Sequence, residues 1–118
     1  MNWTTICNKN DILLGGGRCA LVDGKQVAIF RLSENSGETL YAIANFDPFS
    51  KANVLSRGIA GCVNQQPVVA SPIYKQHFNL ITGQCLEDES VTLETWHVQL
   101  DNDMVQLASK QESSASAA

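Results

Sequence analysis

Six residues carry the thiols and imidazoles that most often bind transition metals or act in nucleophilic catalysis: Cys7, Cys19, Cys62, Cys85, His77 and His97. Thiolates and imidazoles hold zinc, and thiolates hold iron–sulfur clusters, but the usual spacings of both begin with a Cys-x-x-Cys pair, and this chain has none. His77 and Cys85 form one conceivable nucleophilic pair, in which the imidazole takes the proton of the thiol. The chain offers neither a third group to orient that imidazole nor an oxyanion-binding feature, so no catalytic residue and no metal ligand is assigned. His97, next to Trp96, reads as an imidazole on a strand face. The run Gly15-Gly16-Gly17 would cradle a phosphate only if a helix followed, with its first amides pointing at the anion. Arg18 to Val22 reads as a strand, which removes that possibility.

The cysteines are then expected to be free thiols. The segment Met1 to Ile6 has no basic region followed by an apolar core, so no export signal is expected, the protein is expected in the cytoplasm, and disulfides are disfavoured. Cys19, in the apolar run Cys19-Ala20-Leu21-Val22, and Cys7, at the end of the first strand, are expected to be buried.

The 118 residues and 44% hydrophobic content suit one domain with a real core. No apolar run approaches the roughly 20 residues of a membrane helix, so no membrane partner is expected. The net charge of −4 argues against a nucleic-acid partner, which asks for a basic face. Glu87-Asp88-Glu89 reads as a solvated acidic loop, with a docking patch as the alternative.

Trp3 to Cys7 is rich in strand formers. Asn10 to Leu14 is a turn or a brief helical turn, and Gly15–Gly17 a loop. Asp23-Gly24, between Cys19–Val22 and Gln26–Phe30, is a strong hairpin signal. A loop at Ser33–Gly37 leads into a strand at Leu40–Ile43. The chain then turns away at Asn45-Phe46-Asp47-Pro48-Phe49 and returns through Val54–Gly58. Gly58–Gln66 holds a short strand or turn, and Pro67–Ala70 is a strand that stops at Ser71-Pro72. A second loop follows, coming back through Phe78 and Leu80 to a turn at Thr82-Gly83. Leu93–Leu100 and Met104–Leu107 form a last hairpin around Asp101-Asn102-Asp103. With no stretch of helical period, the fold class is all-β. One domain is expected over residues 1–107. The Ser- and Ala-rich residues 108–118 have nothing to bury and are expected to form a flexible tail.

Two groups of residues carry a resemblance. Leu55-Ser56-Arg57-Gly58 closes the first loop, while Ser71-Pro72 opens the second and Phe78-Asn79-Leu80-Ile81-Thr82-Gly83 ends it. Together they resemble the cluster-binding loops of Rieske [2Fe–2S] domains, which carry Cys-x-His on the first loop and Cys-Pro-x-His on the second. Here Asp47 and Phe49 stand at the first pair of ligand positions, and Ser71 and Tyr74 at the second. A Rieske centre needs two thiolates and two imidazoles, so the resemblance implies the Rieske-like fold of small antiparallel sheets without its cluster.

The wording Gln26–Arg31, Ile43–Phe49, Val54–Gly58 and Cys85–Glu89 is further similar to the small subunit of bacterial assimilatory NAD(P)H-dependent nitrite reductase, from about Trp3 to about Leu107. That similarity implies a partner, the large subunit, carrying FAD, sirohaem and a [4Fe–4S] cluster and reducing nitrite to ammonium for nitrate assimilation. The chain itself would carry no cofactor and catalyse nothing alone, supporting the large subunit by protein contacts. The candidate contact residues are Asp47, Pro48, Phe49, Pro72, Tyr74 and Lys75. Phe49 and Tyr74 either pack on each other to fill the volume of a cluster or stand exposed as an anchor in a protein interface, and both readings hold together if Phe49 points inward and Tyr74 outward. The alternative is a free-standing Rieske-like electron-transfer or metal-binding protein with non-standard ligands.

Overall fold

The computed structural model describes residues 2–34 and 37–110. Strand β1 (Thr4–Asn8) is followed by a 3-10 turn at Lys9–Asp11, then by β2 (Gly17–Val22), β3 (Lys25–Glu34) and β4 (Gly37–Ala44). These three form the expected meander. Asp23 and Gly24 take φ values of 50° and 78°, the double left-handed turn that matches strand twist. Beyond it lie β5 (Phe46–Asp47), β6 (Ala52–Asn53), a 3-10 turn at Leu55–Arg57, β7 (Ile59–Val63), β8 (Gln66–Ala70) and β9 (His77–Asn79). The chain closes with β10 (Thr95–Asp101) and β11 (Met104–Ser109). No described helix is long and apolar enough to cross a membrane.

The strands make a six-stranded antiparallel sheet, in the order β1-β11-β10-β4-β3-β2, a three-stranded sheet β7-β8-β9, and the small pair β5-β6. Strand β3, paired between β2 and β4, feeds two cores through its alternation. Val27 and Ile29 join Ile12, Trp96, Val105 and Leu107 in one cluster. Ala28, Phe30 and Leu32 face the other way, onto Leu55, Val69, Phe78 and Leu80. This second cluster glues the large sheet to the small one, and the two loops project from it.

Several details depart from the sequence reading. Strands β3 and β4 pair as far as Glu34 with Gly37, so most of the expected Ser33–Gly37 loop is strand, and residues 35 and 36 lie outside the described residues. Gly58–Gln66 holds the expected short strand and turn, extended into a hairpin with β8, with Asn64 and Gln65 both left-handed at φ 51° and 65°. Strand β11 continues through Ser109 with Ala108 buried, and Lys110 Nζ donates to Thr95 Oγ1 at 3.1 Å. The ordered chain therefore passes the boundary set at 107, and residues 111–118 of the expected tail lie outside the described residues. Cys19 is exposed rather than buried, because β2 is an edge strand and turns that side chain to solvent.

Candidate functional site

The two loops are built on one backbone plan. In each, a residue with a short oxygen-bearing side chain precedes proline, which fixes φ and needs no hydrogen-bond acceptor. Asp47 Oδ1 accepts from the Phe49 amide at 2.9 Å, and Ser71 Oγ accepts from the Ile73 amide at 3.3 Å. Four residues on, the Lys51 amide donates to the Asp47 carbonyl at 2.7 Å and the Lys75 amide to the Ser71 carbonyl at 3.1 Å. Both lysines are left-handed, with φ of 59° and 64°. Asp47-Pro48-Phe49-Ser50-Lys51 and Ser71-Pro72-Ile73-Tyr74-Lys75 are thus structural equivalents.

Their first residues are joined. The Ser71 hydroxyl donates to Asp47 Oδ2, and the Ser50 hydroxyl donates to the same oxygen at 2.9 Å. Asp47 is entirely buried, and so is Ser71. A buried carboxylate is tolerable only when its lone pairs are satisfied. Burial pushes the Asp47 carboxyl up, but hydrogen bonds from Ser71, Ser50 and the Phe49 and Ser50 amides outweigh that and hold it below the usual carboxylate range. It is therefore an anion at neutral pH, clamping one loop to the other.

Glycines make the clamp possible. A Cβ on Gly58 would run into the Ala70 carbonyl oxygen, at the start of the second loop. Leu55, three residues earlier, is fully buried, and the Ser56 amide donates to Asn45 Oδ1 at 2.7 Å. Gly83, with φ 81°, leaves no room for a Cβ against the Leu93 carbonyl. These contacts give a physical reason for the Leu-Ser-x-Gly and Thr-Gly signatures.

Asp47 and Ser71, read from sequence as standing at the two thiolate positions, are in direct contact. Phe49 and Tyr74 are not. The Phe49 ring packs inward, 6.2 Å from that of Phe78 with the planes tilted by 43°, while Tyr74 is 60% exposed. The outcome is the divided arrangement, not the mutual packing. The contact set expected from sequence needs correction accordingly. Asp47 cannot reach a partner, since it is buried, and Phe49 and Pro48 are only half-exposed; Pro72, Tyr74 and Lys75 are open to solvent. Ile73 and Lys51, on the same two loops, are exposed as well. Lys51 and Lys75 each close a repeated x-Pro-x-x-Lys pattern.

The Cys85–His77 pair is not assembled as a nucleophile. Cys85 is buried, and burial pushes its thiol up, away from the thiolate. His77 Nδ1 lies 2.7 Å from Glu87 Oε2, and the thiol donates to the other oxygen of Glu87 at 3.7 Å. Among the described residues no group of three or more His, Cys, Asp or Glu could hold a metal ion. Nor do the loops fit a [2Fe–2S] cluster: Phe49 has no lone pair to offer, and the Asp47 and Ser71 oxygens, poor ligands for such iron, are engaged with each other.

An all-β scaffold with paired Pro loops at one end of a small sheet defines a class. The family model of the Rieske-like [2Fe-2S] domain matches residues 2–108, and the chain belongs to that family. Within it the chain groups with small subunits of nitrite reductase. It is 44% identical over 105 residues to the nitrite reductase (NADH) small subunit of Salmonella typhimurium, covering 89% of this chain and 95% of that one. The solution structure of the nitrite reductase [NAD(P)H] small subunit from Erwinia carotovora superimposes with a TM-score of 0.73 at 48% identity, covering 89% of this chain and 79% of that one. The nitrite reductase [NAD(P)H] large subunit of Klebsiella oxytoca contains a similar segment, 35% identical over 109 residues, which covers 92% of this chain and 11% of that much longer one.

Proposed function

We propose that this chain is the non-redox small subunit of a cytoplasmic NAD(P)H-dependent nitrite reductase, bound to a large subunit that carries the FAD, sirohaem and [4Fe–4S] centres. The observation that carries this reading is the Klebsiella chain, in which a segment resembling this whole domain belongs to the large subunit itself. Two units found on one chain in one organism have reason to associate as separate chains in another. The large subunit reduces nitrite to ammonium, serving nitrate assimilation, and this chain contributes protein contacts. Its loops, with a carboxylate, a hydroxyl, a phenyl ring and a phenol at the four ligand positions, give it no means of relaying electrons through a cluster. The docking end is the tip formed by the two loops, where Pro72, Tyr74 and Lys75 are exposed.

Co-expression with the large subunit, followed by purification on a tag carried by this chain, tests the assignment. A complex with flavin and sirohaem absorption, oxidising NADH or NADPH on addition of nitrite, is the expected result. The isolated chain is expected to be colourless and inactive. A chain that never retains the large subunit overturns the reading.

A further inference from the structure

Charge is unevenly spread over this protein. Between Glu38 and Glu87 the sequence holds a single carboxylate, Asp47, and that one is buried under Ser71 and Ser50. The same interval carries Lys51, Arg57 and Lys75, all exposed. The chain as a whole has a net charge of −4. The equivalence of the loops puts Lys51 and Lys75 at matching positions, each at the closing residue of its turn with φ near 60°. Between those positions the second loop exposes Pro72, Ile73 at 46% and Tyr74 at 60%. At its base the His77–Glu87 contact marks where the acidic surface resumes.

We infer that this tip is a docking face for an apolar, acid-rimmed surface of the large subunit, with Ile73 and Tyr74 as anchors and Lys51 and Lys75 as the charge contacts. The inference rests on the partner assigned above and adds the chemistry of the surface it offers. A large amphipathic side chain such as Tyr74 is the type that dominates binding at interface centres, while charges around it steer the encounter and set its orientation. An acidic partner surface repels the rest of this acidic protein and attracts the tip, so one end is selected before any close contact forms. The clamp between Asp47 and Ser71 holds the loops in place in advance, which lowers the ordering cost of association.

The test is equilibrium binding of the full chain to purified large subunit across a range of salt concentrations. For the native sequence, affinity is expected to fall as salt rises. The double variant Lys51→Glu, Lys75→Glu is expected to bind at least about tenfold more weakly at low salt and to lose most of the salt dependence. Tyr74→Ala is expected to lose about tenfold or more at every salt concentration. Lys25→Glu, on the β2–β3 hairpin, serves as a charge control and is expected to bind as the native chain does. Circular dichroism and melting temperature confirm that each variant is folded. Native affinity and salt response in the double-lysine variant would overturn the inference while leaving the partner intact. No binding by the native chain at any salt concentration overturns the partner assignment, and the inference with it.

Discussion

The two five-residue loops share a backbone and differ in where their side chains go. In the first, Asp47 and Phe49 turn into the protein, one under two hydroxyls and the other onto Phe78. In the second, Ser71 alone turns inward, and Ile73 and Tyr74 stand in solvent. Where the resemblance expects four metal ligands at one point, these side chains split between the interior and solvent. A carboxylate–hydroxyl bond links the loops, and an aromatic ring wedges the first one against the core. Under the proposed docking, the second loop is the one that carries recognition.

If that division holds, stability is concentrated in the first loop. Asp47→Ala is expected to be the most damaging change, since it strips partners from the buried Ser71 hydroxyl, the part-buried Ser50 hydroxyl and the Phe49 and Ser50 amides, groups that serve both loops. Leaving such groups unsatisfied costs about 1–3 kcal/mol each where water cannot replace the bond, so a total loss of about 3 kcal/mol in urea denaturation is expected, with partial hydration keeping the sum low. Ser71→Ala removes one of the four hydrogen bonds to the same carboxylate, and about 1–2 kcal/mol is expected. Equal, small effects from both substitutions would mean the clamp does not hold the loops.

The aromatic pair sharpens the comparison. Phe49→Ala opens a space beside Phe78, and for a half-buried ring about 2 kcal/mol is expected, below the 3–5 kcal/mol of fully buried aromatics. Tyr74→Ala removes a solvated side chain and is expected to change stability by less than about 0.5 kcal/mol. Under the proposed docking, its effect falls on partner binding. The same urea series reads both, and a large stability loss at Tyr74 would contradict the division of labour.

Acid provides a second, smaller probe of the clamp. The Asp47 carboxyl lies below its ordinary value in the folded chain because hydrogen bonding outweighs burial. The unfolded chain releases that proton near pH 4. A depressed folded value means the stabilisation is fully present above the unfolded value and is lost as pH falls through the folded one. Glu87, lowered by bonds to the amide and ring of His77 against a desolvation that raises it, acts with the same sign. Stability measured from pH 6 down to pH 2 should therefore fall below about pH 4–5. Asp47→Asn should flatten the fall, because the residue no longer titrates; an unchanged profile would assign the acid sensitivity elsewhere.

Much of this architecture could be read from residues with local meaning. Asp23-Gly24 announces its hairpin because glycine and aspartate accept left-handed φ, and the central strand announces itself by an unbroken run, Val27 to Phe30, buried on both faces. The β7–β8 hairpin was blurred because Asn64-Gln65 turns without a glycine. The exposure of Cys19 was hidden, since an apolar run does not reveal which strand lies at a sheet edge. At the site, the two loops were legible through the ordered Leu-Ser-x-Gly, Ser-Pro and Thr-Gly signatures, which point to Asp47, Phe49, Ser71 and Tyr74 by resemblance. The bond between Asp47 and Ser71 was not, because it joins residues 24 positions apart and no periodicity reports such a contact. Asn45 was missed for a similar reason. This buried amide accepts from Ser56 and donates to Gln26 Oε1 at 3.1 Å, behind the first loop, and only the assembled fold shows it.

The lysines give an expected effect on stability of the opposite sign and a test of what the second half of the plan is for. Both Lys51 and Lys75 adopt a left-handed backbone that a residue with a Cβ enters at a cost and glycine enters freely. Each amide is already committed to the turn's closing bond, which glycine keeps. Lys51→Gly and Lys75→Gly are therefore each expected to leave stability unchanged or raise it by up to about 1 kcal/mol, with the added freedom of glycine in the unfolded chain limiting the gain. Melting temperature should rise or hold while affinity for the large subunit falls. That opposition is the signature of residues kept for recognition at the expense of stability. A loss of stability at both sites would instead give the lysine side chains a structural role and make their matching positions a consequence of the turn alone.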